Sequence, residues 1–173
     1  MRLPADATLI VVDPGGPSAG PHPPLAGSVA ANVAALIAVW RREELPLVRA
    51  RPLAAGAERK EPADDEGWHE RAVALGAFGA TGLEDLLEEI GATTLVLCGA
   101  SEEVAASARD AVALGYQVFV VADACPSATA GLEVEGAALV DAATALGAAA
   151  MAKFRLRWRA ERARVGPRNR QEP

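Results

Sequence analysis

Three short runs set the terms for the rest of this chain: ATLIVVD (Ala7 to Asp13), TTLVLCG (Thr93 to Gly99) and QVFVVAD (Gln117 to Asp123). Each is apolar and rich in β-branched residues, with no helical period, which is the pattern of a strand covered on both faces. Such strands need helices above and below them, and the segments between supply these. GSVAANVAALIAVWRREEL sets Val29, Val33, Leu36, Ile37 and Trp40 on one helical face, with Ser28 as the expected N-cap. TGLEDLLEEIGA reads as an amphipathic helix closed by Gly91, and EEVAASARDAVALGY as a further helix. PLVRAR gives a second strand and RAVAL a short third one. Towards the end, GLEVEGAALVDAATALGA reads as a helix and AAMAKFRLRW as the last strand. Strands alternating with helices predict an α/β fold: a three-layer sandwich with a mainly parallel, Rossmann-like sheet of about six strands and right-handed crossovers.

At 173 residues the chain suits one domain, expected over residues 1–158 and followed by a basic tail over 159–173. Residues 52–67, PLAAGAERKEPADDEG, are polar and rich in breakers, so they read as a surface excursion. The 51% of apolar residues are mainly Ala, Val and Leu, and aromatics make up 4%, which favours closely packed helices over a large aromatic pocket. Cys98 and Cys125 both lie in apolar, strand-like contexts and are expected to be reduced core residues; no zinc spacing exists. No apolar stretch reaches membrane-spanning length, and the N-terminal run is too short for a signal peptide, so a soluble cytoplasmic protein is expected. The net charge of -6 is unevenly spread: from Met151 onward lie eight of the 17 Lys/Arg but only two of the 23 Asp/Glu. That basic segment could meet phosphates, but the acidic body argues against nucleic acid as a partner. Phe154, Leu156 and Trp158 alternate with cations there, as on an edge strand guarded by Lys and Arg.

Three stretches carry a family resemblance: LIVVDP, GAFGATGLEDLLEEIGATTLVLCG and ASARDAVALGYQVFVVADACPSA. From about Ala7 to Leu146 the chain resembles the isochorismatase-like cysteine hydrolases, which include nicotinamidases, carbamoyl-amide hydrolases and isochorismatases. The resemblance implies an Asp on the first strand as base, a Lys before a small-residue–Phe pair, and a Cys nucleophile opening the helix after the fourth strand. Backbone N–H groups of that turn would form an oxyanion hole. Asp13 matches the Asp. The Lys position falls on Ala72, beside Arg71, six residues before Phe78; the Cys position falls on Glu103 or on Ala105, depending on the direction of counting. A thiol at the usual place is absent. Family members commonly form dimers or larger oligomers, so a homo-oligomer is expected.

The turn between strand and helix offers carboxylates instead. Glu102 and Glu103 are ordinary residues for a helix start, where the macrodipole favours negative charge. Alternatively, Glu103 faces Asp13 across the crevice, and the pair shares a proton near neutral pH. Some isochorismatases of the family use the first-strand Asp as an acid on a vinyl ether without needing the Cys. The candidate catalytic residues are therefore Asp13 and Glu103. Gly99, Ala100 and Ser101 are candidate N–H donors, and Arg51 and Phe78 candidate contacts for a small polar metabolite. Cys98 lies inside a strand, and Cys125 matches a family position not used for catalysis. Arg49 and Arg51 alternate on the second strand; either is also an ordinary salt-bridge partner. His22 and His69 stand in unrelated loops, and PADDEGWHE lacks the Asp-x-His spacing of the family's metal sites, so no metal and no cofactor are expected. DPGGPSAG has neither phosphate-loop nor dinucleotide spacing.

Overall fold

The computed structural model describes residues 2–4, 7–12, 27–52, 69–73, 78, 82–126 and 131–154. Among these residues six strands form one wholly parallel sheet in the order β3-β2-β1-β4-β5-β6. The elements run β1 (Thr8–Val12), α1 (Gly27–Arg42), β2 (Leu47–Pro52), β3 (His69–Val73), α2 (Leu83–Glu89), β4 (Thr94–Gly99), α3 (Ser101–Ala113), β5 (Gln117–Val121), β6 (Ala137–Val140) and α4 (Ala142–Ala150). The predicted α/β class and sheet size are those observed.

Every residue of β1 and β4 is buried, as are the last four of β5. Their alternation divides the core in two. Ile10, Val12, Leu95, Leu97, Val118 and Val120 join α2 and α3 in one cluster. Leu9, Val11, Val96, Cys98, Phe119 and Val121 join α1 and α4 in the other. Apart from Thr8 and Thr94 the buried side chains of these strands are apolar, because each strand is covered twice. Helix α1 buries Val29, Val33, Leu36 and Trp40, on the face that the spacing predicts. Trp40 is fully buried, and its indole Nε1 donates to the Ala7 carbonyl at 3.0 Å, fastening the last turn of α1 to the entry of β1. Gly91, with a φ of 66°, follows α2 as its closing glycine.

Two expectations are corrected. Ser28 does not cap α1: the helix already includes Gly27, and Ser28 is an exposed residue of its first turn. Of the segment read as the last strand, 149–154 is not a strand and 155–158 lies outside the described residues; the last strand among those described is Ala137–Val140, inside the segment read as a helix. Gly136, at a φ of 87°, turns the chain into this four-residue strand, and Asp141 ends it by capping α4. A short Ala-Leu run has helical composition, so only those flanking residues mark it as a strand. The alanines that follow are the strongest helix formers; Ala142–Ala150 is helical, and so is 152–154, including the Lys153 and Phe154 assigned to an edge strand. No helix among the described residues is long and apolar enough to cross a membrane.

Because Trp40 joins a fully buried ring to a buried hydrogen bond, Trp40→Ala should destabilise the fold by about 3–5 kcal/mol, read from the urea midpoint.

Candidate functional site

Strand order reverses between β1 and β4: the chain builds outward from β1 to β3, then returns to the other side of β1. In parallel sheets the ligand crevice lies at such a switch, beyond the carboxyl ends of the strands. Here the two strand ends are locked together. Val12 is in register with Gly99, and the Ala100 N–H donates to the Val12 carbonyl at 3.0 Å. A Cβ on Gly99 would stand 1.9 Å from that carbonyl oxygen, and Gly99 holds a φ of 115°. Only glycine allows this approach.

Ala100 is the N-cap of α3 and makes no side-chain capping hydrogen bond to the helix's first N–H groups. Ser101, expected in the turn, already opens α3. Glu102 is exposed and Glu103 half-buried, while Val104 and Ala105 turn into the core. Of the two positions on which the family's Cys could fall, Glu103 borders the turn and Ala105 is buried against the sheet.

Asp13 lies outside the described residues; Val12, the residue before it in the sequence, ends β1 beside the β4–α3 turn. His22, Asp64 and Asp65 lie outside them as well. Arg51 stands at the carboxyl end of β2, its Cα in register with Ala72 of β3, where the resemblance expects the Lys. Phe78 is buried in the α2–α3 core with its ring 6.3 Å from that of Tyr116, which follows the carboxyl end of α3. Tyr116 stands thirteen positions after Glu103 in the chain. The structure thus gathers Gly99, Ala100, Ser101 and Glu103 at one turn and holds Phe78 towards the other end of α3.

Neither cysteine is at the turn's surface. Cys98 is wholly buried on the α1–α4 side, and burial, with Cys125 nearby, pushes its thiol far up. Cys125 is buried on the α2–α3 side, and its Sγ donates to the Val121 carbonyl at 3.4 Å. Burial raises its thiol from 9.0 to about 11, against the opposing effect of the Gly99 backbone hydrogen bond. Both cysteines are unpaired.

A second group of polar residues escaped the sequence reading. Asp123, at the end of β5, accepts from the Ala142 N–H at 2.7 Å, and Asp141 accepts from the Thr144 N–H at 2.6 Å. Asn32 of α1 donates to the Asp123 carbonyl at 2.8 Å. The hydrogen bonds from Thr144 hold the Asp141 carboxyl below its usual range. With Ala122, Leu139, Val140 and Thr144 these aspartates line a shallow cleft of about 430 Å³. Both carboxylates act as caps on α4. The Asp-x-x-Thr spacing at Asp141 was the available signal, and it becomes legible only when α4 is known to start there.

These features define a doubly wound α/β protein whose candidate site is a strand–turn–helix junction with a close backbone approach. The chain belongs to the isochorismatase domain family, whose model matches residues 7–152. In structure it is similar to an isochorismatase from Pseudomonas putida, with a TM-score of 0.64 and 23% identity over 83% of this chain and 92% of that one. It is similar to N-carbamoylsarcosine amidase from Thermoplasma acidophilum, at 0.61 and 23% identity over 82% and 97%. A cysteine hydrolase from Pseudomonas syringae pv. phaseolicola matches at 0.70 and 14% identity over 87% and 95%. At these identities the likeness is one of fold.

Gly99→Ala combines a strained φ with a backbone clash, so it should remove about 3 kcal/mol or more of stability, measured by chemical denaturation. The buried thiols give a second expectation. Their folded values lie above the unfolded 9.0, so their contribution is complete below pH 9.0 and declines as pH rises from 9.0 towards about 11. The urea midpoint should fall through this alkaline window less steeply in a Cys98→Ala, Cys125→Ala variant than in the wild type.

Proposed function

We propose that the protein is a degenerate member of its hydrolase family, without thiol catalysis, serving a binding or assembly role. The observation that supports this most is the state of its thiols: both are buried, both are shifted towards the protonated form, and neither stands at the opening of α3. A protonated, enclosed thiol is not a nucleophile. The resemblance assigns the family's cation to the position of Ala72, which has no charge. Losing Lys and Cys together removes groups that act as a unit in catalysis, where loss of either member alone costs orders of magnitude in rate. On this reading Glu102 and Glu103 serve α3 as acidic residues of its first turn. The crevice retains the capacity to hold a small polar metabolite through the backbone of the β4–α3 turn. We place the protein in the cytoplasm, where two unpaired cysteines stay reduced.

One observation favours a second reading, a cysteine-independent hydrolase of a small polar metabolite such as a vinyl ether or an amide. Glu103 is half-buried at the same turn that the end of β1 approaches. Asp13 would act as acid or base there, with Glu103 as its partner.

Wild type and Asp13→Asn, purified identically, should show the same background rate on isochorismate, nicotinamide and an N-carbamoyl amide. Turnover present in the wild type and lost in Asp13→Asn would select the second reading.

A further inference from the structure

We draw no further inference here: the strongest candidate, the shallow cleft at the carboxyl ends of β5 and β6, carries nothing, because its two carboxylates, Asp123 and Asp141, serve as caps of α4 and nothing among the described residues shows what would fill it.

Discussion

The contact on which this structure depends is the approach of the β4–α3 turn to the last carbonyl of β1. Gly99 leaves no side chain between the two strands, and the Ala100 N–H takes up the Val12 oxygen. The pairing of β1 with β4 is the seam between the two halves of the sheet, so this contact fixes their register. It also sets the geometry of the crevice: the first turn of α3 begins at the same point. Stability and site formation draw on one set of backbone atoms.

The family's architecture is retained around that seam, and both thiols of the chain are buried. A thiol works as a nucleophile when it is partly open to solvent and stabilised as a thiolate. Cys98 and Cys125 are in the reverse condition, one on each face of the sheet and both packed into apolar cores. What the junction still offers is a helix start with no side-chain cap and a half-buried glutamate.

The central fold was legible in the sequence because fully buried strands leave a distinctive run, and because the apolar face of α1 repeats with the helical period through to Trp40. That the sheet is parallel followed from alternation alone; the strand order did not. The edge was harder to read. β6 has four residues, two of them exposed, so it carries neither the apolar run of a central strand nor a clear alternation. Its identity is fixed by Gly136, Asp141 and pairing with β5, which are tertiary facts. At the site, the turn residues were readable from their place after β4. The placing of Phe78 beside Tyr116 was not, since it depends on how the chain returns from β3 to α2. The aspartates capping α4 were missed for the same reason as β6: their role exists only once that strand is in place.

The strand order also bears on how the protein is made. β1 leaves the ribosome first, yet its central partner β4 begins at Thr94, 82 residues after Val12. At about 5–20 residues per second, that is a delay on the order of 4–16 s. Throughout that interval the most apolar strand of the amino-terminal half has β2 on one side and an open hydrogen-bonding edge on the other. Completion of the central pair, late in synthesis, is the event that ends its vulnerability to aggregation.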